Sequence, residues 1–117
     1  MRKKILIIED EPDVLKFLEQ LFQDAGYDTA TAADGVEGTK RLNENKPDLI
    51  TLDLQMPGDT GTDFYRKMHH NRKFKDIPVI VISGIAGRHL AVRRPVAVFD
   101  KPIDKGKLLK TVKETIG

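Results

Sequence analysis

Three stretches of the chain are apolar at almost every position: Ile5-Leu6-Ile7-Ile8, Leu49-Ile50-Thr51-Leu52 and Val79-Ile80-Val81-Ile82. They are short, rich in β-branched residues and lack the every-second-residue alternation of a half-exposed strand. Such runs are strands buried on both faces, the signature of a parallel sheet. Two weaker strands fit Tyr27 to Thr31 and Val96 to Phe99.

Between the first two strands the spacing changes to that of a helix. Val14, Leu15, Leu18, Leu21, Phe22 and Ala25 recur on one face, with Pro12 suited to the first turn and Gly26 to the stop. The segment from Asp34 to Asn45 predicts a poorer, short and exposed helix, because Gly38 costs ~1 kcal/mol relative to alanine in a helix interior. A third helix fits Thr62 to Asn71, anchored by Phe64, Tyr65 and Met68. A last one fits Asp104 to Ile116, with Leu108, Leu109, Val112 and Ile116 facing inward. Strands alternating with helices in this order predict an α/β fold with a doubly wound parallel sheet.

A chain of 117 residues accommodates one core, so a single domain spanning 1–117 is expected. With 39% hydrophobic and 32% charged residues the composition is that of a globular protein rather than a disordered one. No apolar run approaches the ~20 residues that span a bilayer, which argues against a membrane protein. The absence of cysteine removes disulfides and thiolate metal sites and fits a cytoplasmic setting. A net charge of +2 is too small to imply nucleic acid, and no nucleic-acid-binding motif is present.

In a doubly wound sheet the functional crevice lies beyond the carboxyl ends of the strands. The first strand ends in Glu9-Asp10-Glu11, the third in Asp53, the fourth in Ser83 and the fifth in Asp100-Lys101-Pro102. Taken singly, most of these residues have an ordinary role as caps, turn formers or solvated charges. Asp53 differs, because it interrupts the buried run Leu52-Asp53-Leu54, where an unpaired carboxylate is costly. Carboxylates forced together repel and resist ionisation unless a cation compensates them. Oxygen-only ligands suit Mg2+ or Mn2+. Lys101 adds an ammonium and Ser83 a hydroxyl donor around a carboxylate nucleophile, a set fitted to phosphoryl transfer.

Four ordered motifs then carry a family resemblance over essentially the whole chain: Ile7 to Pro12, Pro47 to Gly58 with Gly61, Ile77 to Gly84, and Asp100-Lys101-Pro102. Together they resemble the receiver domain of two-component response regulators, of the chemotaxis-regulator kind. The resemblance implies a flavodoxin-like, five-stranded sheet in the order 2-1-3-4-5. It implies that Asp53 accepts phosphate from a phosphohistidine on a sensor histidine kinase or phosphotransfer protein. Asp10 and Asp53 would hold Mg2+ or Mn2+ directly, Gln55 would offer its backbone carbonyl, and Glu9 would act nearby through water. Ser83 and Lys101 would contact the phosphoryl oxygens, and Gly84 would leave room for the donor. Such a protein is a signalling switch that promotes only its own phosphorylation and hydrolysis, not an enzyme acting on a separate substrate. It is compatible with a stand-alone domain and with one excised from a larger regulator.

Two features depart from the family pattern. Three residues before the motif lysine, where the family often has Tyr or Phe, stands Val98. Phe99 follows it and, by the period of a strand, faces the other side. The segment from Gly84 to Val96 is about one helical turn shorter than usual and carries Gly87 and Pro95, which predicts a fourth family helix that is shortened, irregular or missing. Arg88, His89, Arg93 and Arg94 cluster there and read first as a solvated face, with an acidic or phosphorylated partner as the alternative. These departures keep open a degenerate receiver that acts only as a protein-interaction module. A flavin-binding protein of the same fold class is disfavoured, because Glu9, Asp10 and Glu11 occupy the loop that would have to cradle a phosphate.

Overall fold

In the computed structural model residues 2–54, 56, 60–82 and 95–117 are described. Five strands, β1 (Lys4–Ile8), β2 (Asp28–Ala32), β3 (Leu49–Leu52), β4 (Val79–Ile82) and β5 (Ala97–Phe99), form one sheet. All four neighbouring pairs are parallel, in the order β2-β1-β3-β4-β5. Among the described residues the helices are α1 (Pro12–Asp24), α2 (Gly35–Glu44), α3 (Thr60–His69) and α4 (Lys105–Ile116). None is long and apolar enough to cross a membrane.

The continuous apolar runs exist because each strand serves two cores. Ile5 and Ile7 of β1 join Leu18 and Phe22 of α1 and Leu108 and Val112 of α4. Leu6 and Ile8, pointing the other way, join Leu42 of α2 and Phe64, Tyr65 and Met68 of α3. Val98 and Phe99 obey the same alternation: Val98 packs on the α2/α3 side and Phe99 on the α1/α4 side.

The helix ends follow their local chemistry. Gly26, at φ 96°, adopts the left-handed backbone that turns the chain out of α1. Asp34 caps α2 by accepting from the Glu37 N–H at 2.8 Å, and Asp104 caps α4 by accepting from the Lys107 N–H at 3.1 Å. The expectation of an exposed α2 needs correction, since Gly35, Gly38 and Leu42 are buried. A Cβ on Gly38 would lie 2.8 Å from Ile8 Cδ1 and 3.2 Å from the Phe64 ring. The glycine that weakens the helix locally is what lets it lie close against β1 and α3. The third helix begins two residues earlier than its apolar spacing suggests, at Thr60. The expected irregularity from Gly84 to Val96, with its basic cluster Arg88, His89, Arg93 and Arg94, lies outside the described residues up to Arg94.

Candidate functional site

The strand order reverses between β1 and β3, and their register places the site. Ile8 pairs with Leu52, so the next residues, Glu9 and Asp53, leave the sheet side by side. Both backbones stay tied to it: the Asp53 N–H donates to the Ile8 carbonyl at 3.0 Å, and the Glu9 N–H donates to the Ala32 carbonyl at 3.0 Å. Both side chains are almost wholly shielded, at 1% exposure. Two buried carboxylates at one sheet end are a charge problem that needs a cation.

Lys101, two residues beyond β5, supplies one. Its Nζ lies 3.3 Å from Asp53 Oδ2 and 2.9 Å from Glu11 Oε1. It also approaches Glu9 Oε1 at 3.1 Å without hydrogen-bond alignment, and donates to Glu9 Oε2 at 3.4 Å. Glu9, Asp10, Glu11 and Asp53 each present a carboxylate oxygen within 4.8 Å of the others. One ammonium does not satisfy them all, because Glu9 Oε1 and Asp10 Oδ1 are buried without a hydrogen-bond donor. Orphaned buried oxygens in a tight, cysteine-free cluster fit a hard divalent cation such as Mg2+.

Protonation responds to the same crowding. Burial, reinforced by a hydrogen bond to Asp53, pushes the Glu9 carboxyl from 4.5 up to about 8. Burial by itself would lower the Lys101 ammonium, but its bonds to Glu11 and Glu9 and the charge of Asp53 win and hold it above the ordinary lysine range. A carboxyl that binds its proton more tightly when folded stabilises the fold most below its unfolded value, and that contribution fades as pH rises through the folded one. In the presence of a chelator, the urea midpoint is therefore expected to fall between about pH 4.5 and about pH 8. Glu9→Gln is expected to flatten that slope; a wild-type midpoint that rises across the window would contradict the assignment.

An acidic pair at the switch point with a lysine reaching in from the last strand is what the family resemblance requires. The family model for the response regulator receiver domain matches residues 5–113. This chain is a response regulator receiver domain. It is 33% identical to Protein Rrf1 of Nitratidesulfovibrio vulgaris, over 96% of this chain and 81% of that one. It is 29% identical to the polar-differentiation response regulator DivK of Brucella anthropi, over 100% of this chain and 98% of DivK. Its fold is similar to that of the chemotaxis protein CheY4 of Vibrio cholerae, with a TM-score of 0.88 and 27% identity, covering 98% of this chain and 99% of CheY4. Like its family, the receiver is a phosphoryl-accepting signalling switch.

The first turn of the receiver's α3 is held close to Asp53 by a residue without a side chain. A Cβ on Gly61 would fall 2.6 Å from the Asp53 carbonyl oxygen, 3.0 Å from Met56 Cε and 3.3 Å from Leu54 Cα. Two of these three are backbone atoms, which have little freedom to yield. Gly61→Ala is expected to destabilise the receiver by ~1–3 kcal/mol. By shifting the Asp53 backbone it is also expected to slow phosphorylation by about 10²-fold. Denaturant melts together with phosphorylation rates check this; an alanine variant with wild-type values for both would show that the contact has no such role.

Of the residues singled out in the sequence, Glu9, Asp10, Asp53 and Lys101 converge here. Ser83, Gln55 and Gly84 lie outside the described residues. Glu11 belongs to the acidic run after the first strand, and its contact with Lys101 has no signal in the sequence: 90 residues separate the two. Gly61 stood in the motif, and only the backbone geometry shows what it permits.

Proposed function

We propose that this receiver takes a phosphoryl group onto Asp53 from the phosphohistidine of a sensor histidine kinase or phosphotransfer protein. The observation that carries the proposal is the buried Asp53 carboxylate with an ammonium 3.3 Å from Oδ2, at the switch point of the sheet. Asp53 Oδ attacks phosphorus as the phosphorus–nitrogen bond to the donor imidazole breaks. The imidazole takes up a proton, and the product is an aspartyl phosphate. Lys101 neutralises the phosphoryl oxygens, and the Ser83 hydroxyl is assigned to donate to one of them.

Glu9, Asp10 and Asp53 are the residues that would hold Mg2+ or Mn2+, with the Gln55 carbonyl as the further ligand the family implies. Bound there, the ion supplies charge neutralisation that favours loading of a dianionic group into an acidic pocket. The receiver acts as one unit over residues 1–117, in the cytoplasm, as a signalling protein whose only chemistry is on its own Asp53. It binds no nucleic acid directly and hands its state to a downstream partner.

The donor's approach is marked by a groove lined by Glu11, Asp13, Val14, Phe17, Lys101, Pro102 and Ile103. It is continuous with the pocket through Glu11 and Lys101, and Phe17 lies in it 41% exposed. A large apolar side chain left in water in a groove that reaches Glu11 and Lys101 serves docking of the donor protein. Phe17→Ala is expected to slow transfer from a donor protein about tenfold or more while leaving uptake from acetyl phosphate unchanged. Equal slowing with both donors would remove the groove from the donor's path.

The function itself is tested by incubating the receiver with acetyl phosphate and, separately, with a phosphorylated histidine kinase, each with and without Mg2+. One phosphoryl group per chain, dependent on the divalent ion, is expected. No uptake from either donor would overturn the proposal.

A further inference from the structure

The shortest contact of the Lys101 ammonium is not to either buried carboxylate. Nζ is 2.9 Å from Glu11 Oε1, against 3.1 Å for Glu9 and 3.3 Å for Asp53. Glu11 is 59% exposed in its side chain, whereas Glu9 and Asp53 are each 1% exposed. The lysine is therefore shared between the pocket and its mouth, with its closest partner on the outer side.

Glu11 is also a poor choice for its local position. It is the residue before α1, with extended backbone, where Ser, Thr, Asp or Asn would cap the helix. Its carboxylate accepts no bond from the helix N–H groups. The Glu11 backbone is fixed nonetheless: its N–H donates to Glu9 Oε2 at 3.2 Å, and its carbonyl accepts from the Leu15 N–H at 2.9 Å. A side chain that leaves its own helix uncapped and reaches a lysine 90 residues away departs from local optimisation in favour of the site.

We infer that Glu11 is a positioning residue that holds Lys101 partly at the mouth of the pocket and so restrains phosphorylation of Asp53. This rests on the assignment of Asp53 and Lys101 above. An ammonium has three protons to give. In the resting receiver one of them goes to Glu11, and the incoming phosphoryl oxygens must compete for it. An ion pair this exposed shifts an equilibrium only roughly two- to fivefold. Glu11 thus sets a bias rather than a block.

Two variants separate contact from charge. Glu11→Gln removes the charge; Glu11→Asp keeps it but withdraws it by about 1.5 Å, one carbon–carbon bond, out of reach of Nζ. Both are expected to take up phosphate from acetyl phosphate roughly threefold faster. In both, the side-chain NMR resonances of Lys101 in the unphosphorylated protein are expected to shift. A change in Glu11→Gln alone would assign the effect to overall charge and overturn the inference. Unchanged or slower uptake in both, or an unmoved Lys101 resonance, would also overturn it. Failure of wild-type uptake at Asp53 would instead strike the proposed function, and the Lys101 resonance would still decide whether Glu11 holds the ammonium.

Discussion

Asp53→Asn is expected to take up no measurable phosphate from any donor while remaining folded. The amide has no anionic oxygen to attack phosphorus, and no other carboxylate shares its place. Glu9 is buried beside it with its proton held up to about 8, so it is a poor nucleophile at neutral pH. The substitution also removes one of two nearly unexposed carboxylates at the sheet end. In chelator the variant should therefore be no less stable than wild type, since a buried neutral amide is easier to desolvate than a carboxylate and Lys101 keeps its contacts with Glu11 and Glu9. A phosphate-affinity gel paired with a urea melt checks both halves. Lost uptake in a destabilised variant would reflect unfolding and would not support Asp53 as nucleophile.

Lys101→Met is expected to slow phosphorylation by about 10²–10³-fold, the typical effect of removing one preorganised donor to developing charge. Methionine keeps most of the apolar stem, so the change is mainly electrical. Glu9, Glu11 and Asp53 each lose an ammonium within 3.3 Å. Removing one partner of a buried pair is destabilising, so in chelator the variant should melt at lower urea than wild type. Mg2+ affinity should move the opposite way. With the competing positive charge gone, the acidic cluster attracts a divalent ion more strongly, and saturating Mg2+ should recover much of the lost stability. Slower phosphorylation with tighter Mg2+ binding marks Lys101 as a charge acting on the phosphoryl group. Weaker Mg2+ binding in Lys101→Met would indicate that the lysine mainly keeps the pocket in shape.

Much of the fold and part of the site were legible in the sequence, and the line between legible and hidden is physical. The runs Ile5 to Ile8, Leu49 to Leu52 and Val79 to Ile82 could only be strands covered on both faces, and the alternation of Val98 with Phe99 followed from strand geometry alone. Asp53 stood out because a carboxylate inside an apolar run demands a partner. Glu9, Asp10 and Lys101 followed from asking which polar residues close each strand. The depth of α2 was hidden, since Gly38 reads locally as a helix fault and its close approach to Ile8 and Phe64 is a tertiary fact. The reach of Lys101 to Glu11 was hidden for the same reason: a flexible side chain chooses among acceptors only once the strands have brought them together.

The most direct test of Asp53 as acceptor is to phosphorylate the receiver, reduce the acyl phosphate with borohydride, and sequence the peptides by mass spectrometry. Reduction converts an aspartyl phosphate to homoserine and leaves a free carboxylate untouched. Homoserine at position 53, formed only after phosphorylation, is the predicted result. Homoserine at another aspartate, or phosphate on a residue that borohydride does not reduce, would contradict it.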